Sequence, residues 1–214
     1  MRISYKHKFI FIHVDRTGGT SVSRTLDAFS YNMSDIERLY VALRRRLGFS
    51  TDNYRWKRFS TQHVTARELK AQYPREIFDN YFKFAFVRNP WDWLVSIYYA
   101  RLQHPAHPEY ELAKYLNSFE KYAVWWVRNK RTRQIDYLVD EQGSLLLDFV
   151  GKFERLEEDF AHICKVLGIQ ASLPHHNTAR YRAEKNYHKY YSQDTKMMIA
   201  EACQDDIEYF NYTF

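Results

Sequence analysis

Residues 8–21 read KFIFIHVDRTGGTS. The first half, Lys8–Val14, is rich in β-branched and aromatic residues and reads as a buried strand. It runs straight into Gly18 and Gly19 and then into TSVSRTLDAF, which has helical spacing with Thr20 as its expected N-cap. A strand, a glycine turn and a helix N-terminus together make an anion cradle. Glycines let the backbone approach, successive amides point at the ligand, and the helix end adds partial positive charge. Arg16 supplies a full positive charge, and Thr20 and Ser21 supply hydroxyl donors. The pattern is not G-x-x-x-x-G-K-[ST]: no Lys follows Gly19, and the basic residue precedes the glycines. The competing reading is a glycine-bearing strand–helix turn that holds no ligand.

A similar arrangement recurs at residues 82–96, FKFAFVRNPWDWLVS. FKFAFVR is a second continuous apolar strand ending at Arg88. Asn89 suits a helix N-cap and Pro90 the first helical position. Ser96 follows on that helix, roughly 9 Å beyond Pro90 at the helical rise, so Arg88 and Ser96 can grip one anion from two sides. Ligands of an open parallel sheet bind at the carboxyl ends of its strands, where both turns lie.

Outward from these turns, SDIERLYVALRRRLG reads as a helix capped by Ser34 and stopped by Gly48. TARELKAQY is a capping box, Thr65 with Glu68, ahead of Pro74. Residues 109–139 read as one or two helices, and SLLLDFVGKFE holds a third strand. RLEEDFAHICKVLG places Phe160, Ile163, Cys164 and Leu167 on one helical face, with Gly168 as the stop. Residues 169–192 are loop-like, and one last helix carries Ile199, Cys203, Ile207 and Phe210. Apolar strands alternating with helices imply an α/β fold: a single three-layer domain over residues 1–214, with a central parallel sheet flanked by helices.

The chain has 214 residues, 45% hydrophobic and 27% charged, as a globular domain should. Its net charge of +6 favours anionic partners. Cys164 and Cys203 both fall at apolar helix positions and read as reduced core residues. The N-terminal apolar run, broken by His13, is too short for a membrane span and has no small-residue cleavage site. A cytoplasmic protein is the expectation.

The two turns together resemble the PAPS-dependent sulfotransferases, of the group with bacterial and Golgi carbohydrate sulfotransferases; PAPS is 3′-phosphoadenosine 5′-phosphosulfate. FIHVDRTGGTS is similar to the family's 5′-phosphosulfate loop, usually P-K-T-G-G-T-S or P-K-T-A-G-T-S. FVRNPWDWLVSIYY is similar to its 3′-phosphate motif, an Arg with a Ser eight residues later, matched by Arg88 and Ser96. VGKFERLEEDF and the closing DIEYFNYTF also resemble family segments, so the likeness runs from about Lys8 to Phe214. It implies a P-loop-like fold with a helical acceptor-side insertion at roughly 100–140. It implies PAPS as co-substrate, held by Arg16, Thr17, Gly18, Gly19, Thr20, Ser21, Arg88 and Ser96. It also implies a lid over roughly 169–192, contributing Arg180, Tyr181, Arg182 and Lys185. One position departs from the family: its loop Lys is Arg16 here, which keeps the charge but not the shape or hydration of an ammonium.

Sulfuryl transfer needs a base for the acceptor hydroxyl, and His suits that near neutral pH. His63, between the two phosphate motifs, is the candidate, where carbohydrate relatives carry a functional His. A surface loop role for His63 competes with it, and Asp15 is the weaker substitute. His13, inside the first strand, reads as a packed core residue. QHPAHPEYE and LPHHN lack the partner ligands of a metal site, and no metal is expected. The basic run RNKRTR at 128–133 suits an acidic acceptor or simply a solvated helix face. The leading reading is transfer of a sulfuryl group from PAPS to a hydroxyl, releasing PAP, with a glycan or glycoside acceptor and a tyrosyl or phenolic one kept open. The alternatives are a PAP- or PAPS-binding protein without efficient transfer and a variant P-loop small-molecule kinase. A nucleic-acid binder is disfavoured because the aromatics form no stacking motif with interleaved basic residues.

Overall fold

The chain opens on a short strand, β1 (Arg2–Ser4), and returns as β2 (Phe9–Ile12), whose residues are all buried. The structure, a computed structural model, describes residues 1–30, 43, 46–48, 64–130, 132–174 and 186–214. The helix expected over 34–48 falls largely outside them. After β2 come α1 (Gly19–Leu26), α2 (Ala66–Gln72), α3 (Arg75–Asn80) and β3 (Phe82–Val87). Next are α4 (Pro90–Arg101), α5 (Tyr110–Leu116), α6 (Phe119–Asn129), β4 (Phe149–Lys152), α7 (Leu156–Leu167), α8 (Gln193–Ala202) and α9 (Gln204–Phe210). These elements fall into two compact units. The first draws on residues within 1–86, 137–151 and 155–174, the second on residues within 87–136, 152–154 and 175–214.

The first unit is built on the sheet, ordered β1-β2-β3-β4. β2 and β3 run parallel, with Phe9 opposite Phe82 and Phe11 opposite Phe84. That register lines Phe9, Phe11, Phe84 and Phe86 on one face, where they pack with Val22 and Leu26 of α1 and Phe160 and Ile163 of α7. Burying each such side chain stabilises the fold by about 1.5–3 kcal/mol. Ile10, Ile12 and Ala85 alternate to the opposite face and are buried as well. Burial on both faces explains why these strands are apolar runs rather than alternating patterns. Lys83 is the polar exception. Its ammonium sits 2.8 Å from Asp148, and its backbone N–H donates to the same carboxylate at 2.7 Å.

The expected α/β class is what the chain forms, with one addition to the sheet. β1 pairs antiparallel to β2, Arg2 opposite Phe11 and Ser4 opposite Phe9. Three residues are too few for a readable strand pattern, and the pairing comes from the turn at residues 5–8. β4 lies within the expected SLLLDFVGKFE segment. The capping box is present: Thr65 accepts from the Glu68 N–H, and Glu68 accepts from the Thr65 N–H. α7 ends at Gly168 in the left-handed conformation, φ 63°, as its stop signal implies.

The second unit is helical and holds much of the aromatic content. Trp91, Trp93, Leu94 and Tyr98 of α4 pack with Phe119, Tyr122 and Trp126 of α6 and with Ile199 of α8. Among the described residues, the 109–139 region forms two α-helices, broken at Asn117 with φ 48°, and a short 3-10 turn at Ile135–Tyr137. The single C-terminal helix expected is also two. Cys203 leaves helical dihedrals (φ −112°, ψ 24°) and a new helix starts with Asp205 and Asp206 in its first turn, where acidic residues are favoured. Cys164 and Cys203 are both buried free thiols. Among the described residues no helix is long and apolar enough to cross a membrane.

Candidate active site

The first turn is set by backbone conformation. Arg16 has φ 62° and Gly18 φ 82°, two left-handed residues that reverse the chain between β2 and α1. For Arg16 that conformation costs roughly 1–2 kcal/mol, and such strain concentrates at functional loops. Gly18, not Thr20, is the N-cap of α1, and no side chain caps this end. A left-handed glycine has already turned the chain into the helix, which places Thr20 in the first turn, exposed. The N–H groups of Ser21 and Val22 bond to the Gly18 carbonyl, while those of Gly19 and Thr20 have no carbonyl within their own helix to reach. With no acidic residue in that turn, the helix end presents amides and positive charge.

Gly19 packs directly on His13. A Cβ at Gly19 would lie 1.9 Å from His13 Cδ2 and 2.1 Å from Nε2. The imidazole is buried and stacked on Phe11 at 5.9 Å, so the reading of His13 as a packed core residue holds. Its further role is to floor the loop. The Thr17 hydroxyl donates to the Val14 carbonyl at 2.9 Å and is fully buried, so Thr17 offers a ligand its backbone rather than its side chain.

The second turn follows β3. Asn89 caps α4 by accepting from the Trp91 N–H at 3.2 Å, and Pro90 takes the first helical position, both as expected. Arg88 is buried, 8% exposed. Its guanidinium carbon lies 3.9 Å from the centre of the Phe153 ring, and Nη2 pairs with Asp92 Oδ2 at 2.5 Å. Ser96, 4% exposed, stands one helical turn beyond Asp92 on the same face of α4. A guanidinium held over a ring and bonded by a carboxylate at one edge is aimed, not wandering.

The Arg88 backbone is fixed as firmly. Its N–H donates to Gln134 Oε1 at 2.8 Å and its carbonyl accepts from Gln134 Nε2 at 2.7 Å. The Asn89 N–H donates to Glu154 at 2.6 Å, and the Asn89 amide donates to the Thr213 carbonyl at 2.7 Å. The sequence motif supplied Arg88 and Ser96 but none of Asp92, Gln134, Phe153 or Glu154 as partners. Asp92 alone left a signal, four residues after Arg88 in helical register; the rest come from distant segments.

The two turns account for the described site residues. A family profile described as "Sulfotransferase family" aligns with residues 1–213, nearly the whole chain. The chain belongs to the sulfotransferase family. Human carbohydrate sulfotransferase 9 is 27% identical over 97% of this chain, which spans 52% of the human protein's length. An uncharacterised protein of Archaeoglobus fulgidus is 31% identical over 56% of this chain and 94% of its own. Among solved structures, mouse sulfotransferase SULT7A1 complexed with PAP has a TM-score of 0.47 and 14% identity, covering 96% of this chain and 86% of its own.

His63, the expected base, lies outside the described residues, as do Arg180, Tyr181, Arg182 and Lys185 of the expected lid. The basic run at 128–133 is partly committed to ion pairs. Lys130 pairs with Glu109 at 3.1 Å, and Arg133 pairs with Asp136 at 2.7 Å and with Asp205. Glu109 is half-buried; burial pushes its pKa up, but bonds from Lys130 and Tyr122 outweigh that and hold it below the usual carboxylate range. These pairs favour the reading of that run as a helix face over an acceptor surface.

Proposed function

We propose that this protein transfers a sulfuryl group from PAPS to a hydroxyl of a carbohydrate or glycoconjugate acceptor, releasing PAP. The observation that carries this reading is the buried, aimed Arg88 at a strand end, with Ser96 on the same helix face, in a chain of the sulfotransferase family. Arg88 and Ser96 bind the 3′-phosphate. The loop Arg16–Ser21 binds the 5′-phosphosulfate through backbone amides, the Thr20 and Ser21 hydroxyls and the Arg16 guanidinium. Arg180, Tyr181 and Arg182, outside the described residues, are assigned to contacts with the nucleotide. Support for the carbohydrate acceptor comes from the 27% identity to the human carbohydrate sulfotransferase.

In the reaction the acceptor oxygen forms a bond to sulfur while the bond from sulfur to the 5′-phosphate oxygen breaks. The acceptor proton passes to a base, for which His63 is the candidate. Negative charge grows on the departing phosphate oxygen, and Arg16 with the α1 amides stabilises it without reorganising. As in phosphoryl transfer, positioning and charge stabilisation supply most of the acceleration.

Calorimetric titration with PAP, AMP and ATP, without added magnesium, tests the nucleotide assignment. PAP differs from AMP only by its 3′-phosphate. PAP should bind far more tightly than AMP or ATP, and Arg88→Ala should remove roughly 1.5–3 kcal/mol of that preference, the usual value of a charge-assisted bond. Equal binding of PAP and AMP by the native protein would sink the reading. Tight PAP binding without sulfate transfer from PAPS to any glycan, phenol or tyrosyl acceptor would instead favour a binding protein, the outcome that Arg16 in place of Lys makes worth testing.

A further inference from the structure

Resting on the assignment of Arg88 to the 3′-phosphate, we infer that Gln134 and the buried Asp206 are positioning residues for the donor nucleotide, acting through the Arg88 backbone. Three segments far apart in sequence meet here, all within the second unit. Asp206, fully buried in the first turn of α9, accepts the N–H of Gln134 at 2.9 Å on one oxygen and of Ile135 at 2.7 Å on the other. Those two bonds hold the turn that carries Gln134. The Gln134 side chain, itself fully buried, then makes the paired bonds to the Arg88 N–H and C=O.

The chemistry of this contact is specific to an amide. Arg88 has just left β3, and its peptide groups are buried. A buried N–H and C=O on one residue need both an acceptor and a donor, spaced as a neighbouring strand would space them. Gln carries both on one planar group; Glu carries only acceptors, and Met or Leu carries neither. Gln134 therefore stands in for a strand at the point where the sheet ends, fixing where the Arg88 Cα points. Phe153 and Asp92 then fix the guanidinium. A carboxylate is also the right anchor for the 134–135 turn, because its two oxygens accept two adjacent backbone donors at once. The neighbouring cation Arg133 forms its ion pairs with Asp136 and Asp205.

This arrangement makes a purely structural role and a positioning role separable. A structural role lowers stability and weakens all nucleotides alike. A positioning role acts on the 3′-phosphate contact alone. Gln134→Met keeps the volume and removes both bonds, Gln134→Glu keeps the acceptor and removes the donor, and Asp206→Asn keeps the shape but turns one acceptor into a donor facing a donor. Each would be titrated with PAP and AMP in the otherwise native chain, alone and combined with Arg88→Ala. The expected result is a PAP affinity about tenfold lower in Gln134→Met, a smaller loss in Asp206→Asn, AMP affinity unchanged, and no further PAP loss once Arg88 is already Ala, since contacting groups couple while independent ones add. Should Gln134→Met be too unstable to titrate, Gln134→Glu and Asp206→Asn carry the same comparison. Equal losses for PAP and AMP, or losses that add to that of Arg88→Ala, or no loss at all, would overturn the inference while leaving the nucleotide assignment intact. If the native protein does not prefer PAP to AMP, the assignment itself fails and this inference with it.

Discussion

Gly19 has no room for a methyl group, and what fills that room is His13. A Cβ there would sit 1.9 Å from the imidazole, far inside contact distance, so Gly19→Ala must push the ring or the loop aside. Gly151 in β4 faces a comparable obstacle, with the Phe86 ring 2.5 Å from an added Cβ. Overpacking of this kind costs typically 1–3 kcal/mol. Both Ala variants should therefore lose comparable stability in urea unfolding. Only Gly19→Ala should lose nucleotide binding, because only that loop turns into the amide-lined start of α1. If PAP affinity in Gly19→Ala stays within a factor of two of native, the loop is not the anion cradle. Strain sharpens the same point at Arg16. A non-glycine residue at φ 62° is uncommon, and nothing in the local residue pattern marks it. The loop's residue types were legible, since glycines beside hydroxyls before a helix say what they do. Its conformation was not, because left-handed angles are imposed by packing, here by the buried Thr17 and His13.

Helix ends were the most readable part of the chain, because capping is decided within four residues. Thr65 with Glu68, Asn89 with Pro90, and Gly168 all stand where their local chemistry implied. What sequence order hides is a cap that also reaches across the chain. Asn89 caps α4 through its carbonyl oxygen while its amide nitrogen donates to the Thr213 carbonyl, 124 residues away. Asn89→Ala removes both bonds, and the cap alone is worth about 1 kcal/mol. The cross-chain bond adds roughly 0.5–1.5 kcal/mol. Asn89→Asp separates the two, since Asp keeps the cap acceptor and loses the donor. The expected order in urea unfolding is native, then Asp, then Ala, each step of about 1 kcal/mol. Equal stability of native and Asp variants would mean that the Thr213 contact contributes nothing. The same distinction explains two features of the fold that local sequence did not show. β1 is too short to carry a pattern, and the break at Cys203 is a matter of where Asp206 must sit, 72 residues from its partner Gln134. The positional anchors of Arg88 were illegible for this reason: Gln134, Phe153 and Glu154 are ordinary residues until the chain folds them together.

At the scale of the whole molecule, two cores stand out among the described residues, one of phenylalanines on the sheet and one of tryptophans and tyrosines among the helices. Asp206, fully buried in the second unit, is a charge whose titration should be visible in a global measurement. Burial pushes its pKa up from 3.8 to about 6; the Gln134 and Ile135 amides pull the other way without cancelling burial, and Asp136 adds to the rise. A carboxyl whose folded pKa exceeds its unfolded one binds its proton more tightly when folded. Its contribution to stability is fully present below the unfolded value and is lost as pH rises through about 6. The neighbouring Arg133 is held by Asp136 and Asp205, and burial keeps the Cys203 thiol and the Tyr212 hydroxyl protonated throughout this range, so none of these titrates in the same window. Every other titratable group is common to the native protein and Asp206→Asn. The informative quantity is thus the difference in unfolding free energy between native and Asp206→Asn, followed in urea from about pH 4 to pH 7. The native protein should gain on the variant as pH falls through that window. PAP binding should move the opposite way, because protonating Asp206 replaces one of the two acceptors that hold the Gln134 turn. The second ionisation of a phosphate monoester lies near pH 6 as well, but it affects native and variant alike. A stability difference flat across the window would mean that Asp206 is ionised at every pH tested and that its two backbone bonds outweigh its burial.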